Sequence, residues 1–88
     1  MTERFFLYDE TESTTTRYIS FMGEHQRFDL ALIQTDHYYG KRIVLDIQGS
    51  RFAIIGRDDL DEPGYLEQVF KLTGEEAAEL RDFLYEVI

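Results

Sequence analysis

Four segments with a side-chain period of two follow one another between Thr16 and Arg57, and only short connections separate them. A period of two is the mark of a β-strand, whose successive side chains point to opposite faces. Parallel strands need crossover connections of a dozen or more residues, so segments this close together pair as an antiparallel meander. The first runs from Thr16 to Met22, with Ile19 and Phe21 on one face and Tyr18 and Met22 on the other. Gly23-Glu24 turns it into Arg27–Gln34, where Phe28, Leu30 and Leu32 oppose Ala31 and Ile33. After the loop Thr35–Lys41, Ile43, Leu45 and Ile47 share a face against Val44, Asp46 and Gln48. Gly49-Ser50 allows a tight hairpin into Arg51–Arg57, where Phe52 and Ile54 alternate with Ala53 and Ile55.

The C-terminal part changes period. Thr73-Gly74-Glu75-Glu76 is a T-x-x-E capping box, in which the Thr73 hydroxyl and the Glu76 carboxylate each satisfy a free backbone donor. Leu80, Phe83, Leu84 and Val87 then form one helical stripe, with Glu75, Glu79, Asp82 and Glu86 directed away from it. The stretch Gly56–Gly64, with its proline, two glycines and acids, reads as loop. Tyr65–Leu72 fits either period: Leu66, Val69 and Phe70 have helical spacing, whereas Leu66, Gln68, Phe70 and Leu72 would share a strand face. The strand is favoured as a fifth member of the sheet.

Eighty-eight residues form one domain, spanning residues 1–88, and no linker or repeat divides them. The absence of cysteine excludes disulfides, a thiol nucleophile and Cys-containing zinc sites, and it fits a reducing compartment. The opening residues Met1–Tyr8 are too short an apolar stretch for a signal-peptide core or a membrane span, so a cytoplasmic location is expected. A formal charge of −9 repels phosphate backbones and anionic lipid. Direct binding to nucleic acid or membrane is therefore not expected; the charge is read first as solubility, with a basic protein partner, or mimicry of a nucleic acid, as the alternatives. With 43% hydrophobic and 15% aromatic residues, the chain can still form a core.

Two loops carry the candidate chemistry. In Asp36-His37-Tyr38-Tyr39-Gly40-Lys41-Arg42, the imidazole titrates near neutrality and is suited to act as base or ligand. Neighbouring residues seldom form a catalytic pair, however, and an exposed loop histidine between packing tyrosines is the plainer reading. The acids Asp58, Asp59, Asp61 and Glu62 invite a divalent cation, but the alternating ligands and central glycine of a calcium loop are missing. A solvated turn whose aspartates bond local amides, partly neutralised by Arg57, is the alternative. His25, the only other histidine, would need carboxylates to complete a metal centre. No nucleophile elbow and no phosphate-binding glycine loop occurs. No catalytic, cofactor-binding or metal residue is assigned, and no cofactor is expected.

The runs Arg4–Asp9, Phe21–Glu24 with Gln26–Asp29, Tyr38–Lys41 and Gly64–Glu67 carry a likeness that extends over nearly the whole chain. It resembles a small, uncharacterised cytosolic protein family of Bacillus-type bacteria. The resemblance implies a bacterial, stand-alone cytosolic protein of unknown function and carries over no site residues.

The expected fold is α+β: an antiparallel meander of four or five strands with one C-terminal helix, from Gly74 to about Val87, packed on a face. Because the middle strands are apolar on both faces, one helix leaves the second face bare. The Phe5-Phe6-Leu7-Tyr8 arm, a fifth strand or another subunit would have to cover it. The expected function is a small, non-enzymatic interaction or regulatory protein that self-associates as a dimer. Its partner surface includes Asp36, His37, Tyr38, Tyr39, Asp58, Asp59, Asp61 and Glu62. The rival is a small-ligand or metal-assisted enzyme that uses the same two loops.

Overall fold

The computed structural model describes residues 3–88; Met1 and Thr2, which open the stretch read for a targeting segment, lie outside them. Strands β1 (Thr15–Met22), β2 (Arg27–Gln34), β3 (Arg42–Asp46) and β4 (Arg51–Ile55) form one antiparallel sheet in the order β1-β2-β3-β4. Helices α1 (Arg57–Leu60), α2 (Tyr65–Phe70) and α3 (Gly74–Val87) follow. The α+β meander with a C-terminal helix is therefore as the periodicity predicts.

Register explains the core. Leu32 faces Arg17 on one side and Val44 on the other, Val44 faces Ala53, and Leu30 faces Ile19. This inner face supplies Phe28, Leu30, Leu32, Val44, Ala53 and Ile55, which are packed against Leu60, Leu66, Phe70, Ala77, Leu80 and Leu84 from the helices. Stacked Phe21 and Phe28 rings, 5.0 Å apart, extend to Phe83 at 4.8 Å and seat α3 on the β1–β2 hairpin. Thr73 caps α3 as expected: its hydroxyl accepts from the Glu76 amide at 3.2 Å, and the Glu76 carboxylate accepts from the Thr73 amide at 2.9 Å.

Three expectations are corrected. Tyr65–Phe70 is helix, because a strand would bring the Gln68 amide to the same face as Leu66 and Phe70, whereas the helix buries those two and leaves Gln68 exposed. Gly64 starts it in the left-handed region (φ 78°), and Lys71 ends it there (φ 57°), with the Leu72 amide donating to the Glu67 carbonyl at 3.0 Å. The stretch after β4 is not all loop, since Arg57–Leu60 makes one helical turn that inserts Leu60 into the core. The third strand stops at Asp46: its carboxylate accepts from the Gly49 amide at 3.1 Å and curls Ile47–Ser50 into a turn. Three helices, not one, thus cover the inner face.

Candidate functional site

All three helices pack on the inner face, so among the described residues the outer face of the sheet stays open. Cross-strand register places Tyr18, Ala31, Leu45 and Phe52 in one row and Thr16, Ile33, Ile43 and Ile54 in the next. Neighbouring side chains bury Ala31 and half-cover Ile33, Ile43, Leu45 and Ile54. Tyr18 and Phe52 stand 77% and 64% exposed at the two sheet edges, and Met22 and Ile47 are also exposed. The charged strand residues of this face, Arg27 and Asp29, are confined to the end at the β1–β2 turn. There Arg27 pairs with Asp29 at 3.1 Å and donates to the Ser20 hydroxyl at 3.3 Å. The Ser20 hydroxyl, opposed by partial desolvation and helped by Arg27, holds the Asp29 carboxyl below its usual range.

At the opposite end of the sheet, the loop after β2 gathers partners the sequence did not show. His37 Nε2 lies 2.5 Å from the Glu10 carboxylate, and its Nδ1 meets Glu12. Glu12 also accepts from the Thr35 hydroxyl at 2.5 Å. Only an imidazolium donates from both ring nitrogens, so two ionised carboxylates on the one ring favour its charged form. Glu10 first, then Glu12, raises the His37 pKa above its ordinary value. The Thr35 hydroxyl, against partial desolvation and with His37, lowers that of Glu12. His37 therefore latches the N-terminal segment to the β2–β3 loop. Its contribution is complete below its unfolded pKa, ~6.5, and is lost as pH rises through the raised folded value. Glu12's contribution is complete above its ordinary value and fades only as pH falls through the lowered one. Backbone 15N relaxation at Asp9–Glu12 is therefore expected to report greater motion as pH is raised from about 6 to about 9, while His37→Gln shows the mobile values throughout. Relaxation that stays flat with pH in the wild type would remove the latch. Tyr39 does not pack beside His37 as expected: it is wholly exposed.

The acidic loop is mostly occupied by internal bonds. Asp59 accepts from the Gly56 amide at 2.8 Å and from Lys41 at 3.0 Å. Partial burial pushes its carboxyl up, but those two donors outweigh burial, and the net shift is downward. Asp61 accepts from the Tyr85 hydroxyl, leaving Asp58 and Glu62 directed to solvent. Lys41, 3.9 Å from Asp58, joins the two loops, which lie apart in the sequence. Arg57 does not neutralise the acids as expected. It donates to the Tyr85 and Ile88 carbonyls, both at 3.1 Å, where it secures the end of α3.

Glu79, assigned by its spacing to the solvent side of α3, reaches the β1–β2 turn and accepts from the Glu24 amide at 2.8 Å and the His25 amide at 3.2 Å. With Glu24 and His25 it brings three possible metal-ligand atoms within 4.8 Å of one another, and Glu75 lies 2.6 Å from His25 Nε2. Two amides already hold one Glu79 oxygen, while the other is buried under Gly23 without a partner. The group serves as a clamp between helix and hairpin. Its only sequence signal is Gly23, the one residue type that leaves room for the carboxylate.

Fold and surface together define a class: a small α+β domain whose meander sheet is helix-covered on one face and open on the other. The sequence profile of the SAV0927-like family matches residues 7–86, and the chain belongs to that family. It is an uncharacterised family, consistent with the unknown function that the resemblance implied. No curated protein matches the chain. Among the described residues, no helix is long and apolar enough to cross a membrane.

Proposed function

We propose that this protein is a small, non-enzymatic interaction protein of the bacterial cytoplasm that works as a homodimer, with the outer face of the sheet as its contact. The observation that carries this reading is the two uncharged rows across all four strands, ending in exposed Tyr18 and Phe52. Contiguous apolar surface of this kind marks an interaction site on small proteins. Two-fold pairing is the usual way for a face to cover itself. Asp58, Glu62 and the Asp36–Arg42 loop lie outside these rows and are left for a basic partner of the dimer.

Sedimentation equilibrium at micromolar concentration should show twice the mass of the 10.4 kDa chain. Because two chains of charge −9 repel each other, association should strengthen as salt is raised. Tyr18→Lys with Phe52→Lys, both at exposed positions, should yield a folded monomer with an unchanged far-UV spectrum. A wild-type monomer at every salt concentration would reject the reading.

A further inference from the structure

We infer that the outer sheet face of each protomer receives the N-terminal arm, Phe5–Tyr8, of a second copy of this chain, so that the dimer exchanges its arms. This inference rests on the proposed self-association and goes beyond it by naming the occupant.

The arm is the most exposed apolar stretch of the described chain: Phe5 and Leu7 are 91% exposed, and Phe6 and Tyr8 are also open to solvent. Four consecutive large apolar side chains in water are unfavourable unless something covers them. The arm does not lie on its own sheet. All four of its side chains are exposed, and Glu10 and Glu12 hold its base against the β2–β3 loop, at the end of the sheet. Among the described residues the sheet has four strands, so no fifth strand fills the role either. Of the three covers the sequence allows, another subunit remains.

Dimensions agree. The molecule measures 51 × 28 × 24 Å, with a radius of gyration of 15.1 Å, where a compact chain of this length has about 12 Å. Its accessible surface is 6556 Å², against roughly 5,400 Å² for a compact monomer of its mass. The excess, on the order of 1,100 Å², is comparable with the ~800 Å² that each partner buries in a standard interface. From Phe5 to Glu10, where the latch holds the chain, an extended arm spans about 17 Å and so crosses the ~14 Å width of a four-stranded sheet.

The test places a photo-crosslinking benzophenone side chain at Phe6 of the full chain and mixes 14N- and 15N-labelled protein before irradiation. Mixed-isotope cross-links from the arm to β1 or β4 peptides near Tyr18 or Phe52 are expected. Phe5→Ala with Phe6→Ala and Leu7→Ala should raise the dimer dissociation constant by on the order of a hundred-fold or more. Cross-links within one chain only, or a triple variant that dimerises like the wild type, would overturn arm exchange. In the second case the dimer itself would stand. A wild-type protein that sediments as a monomer would overturn both.

Discussion

Replacing Leu84 by alanine is expected to lower the free energy of unfolding by about 3–5 kcal/mol, the upper range for removing a buried leucine. Leu84 is wholly buried on α3, within the cluster that also holds Leu60 of α1 and Leu66 of α2. Both α1, of four residues, and α2, of six, share this cluster with α3. Helices of that length do not persist alone. They exist because they can pack on α3, so a cavity at Leu84 loosens all three contacts at once. A domain of this size has roughly 5–10 kcal/mol in total, and the melting temperature should fall by about 4–8 °C for each kcal/mol. Urea unfolding followed by circular dichroism measures the change. A loss below about 1 kcal/mol would mean that the helical layer is not assembled around this side chain.

Gly23→Ala is expected to cost about 1–2 kcal/mol in the wild type and almost nothing once Glu79 is also alanine. The backbone at Gly23 does not lie in the left-handed region, so alanine is conformationally acceptable there. The conflict is with a side chain: an added Cβ would stand 1.9 Å from Glu79 Oε2. To escape, the carboxylate must leave the Glu24 and His25 amides. Hydrogen bonds to charged groups contribute ~1.5–3 kcal/mol when sheltered, and the 20% exposure of the Glu79 side chain places these toward the lower end. With Glu79→Ala the carboxylate clash is gone, and the added Cβ then meets only the Gln26 carbonyl oxygen at 3.1 Å, so little of the wild-type cost should remain. A double-mutant cycle by urea unfolding reads the coupling directly. Additive effects would show that the helix–hairpin clamp contributes nothing.

Both predictions concern contacts between distant parts of the chain, and there the sequence was least legible. The four strands and α3 were readable because their determinants are local. Alternation at period two marks each strand, and Thr73 and Glu76 mark the helix start within four residues. Tyr65–Phe70 was not readable, since Leu66 and Phe70 suit either period. What decided it was where the Gln68 amide would have to sit. The candidate site divides in the same way. The bare apolar face followed from residues such as Ala31/Ile33 opposing Leu30/Leu32. The His37 latch did not, because Glu10 and Glu12 lie 27 and 25 residues away. The acidic loop looked like one feature in sequence, yet Asp59 and Asp61 accept hydrogen bonds from Gly56, Lys41 and Tyr85, whereas Asp58 and Glu62 point to water.

The sequence by itself determined the antiparallel meander, the capped C-terminal helix and the surplus of apolar sheet surface over what one helix can cover. Short-range periodicity and connection length are enough to specify these. Only the tertiary structure decided which face the helices take, that α1 and α2 join α3 there, that Lys41 and Glu79 fasten loops to distant elements, and that the arm stands clear of its own sheet. Each of those depends on which groups meet across the fold, and the energy of such a meeting is set by burial and by partners that no local pattern records.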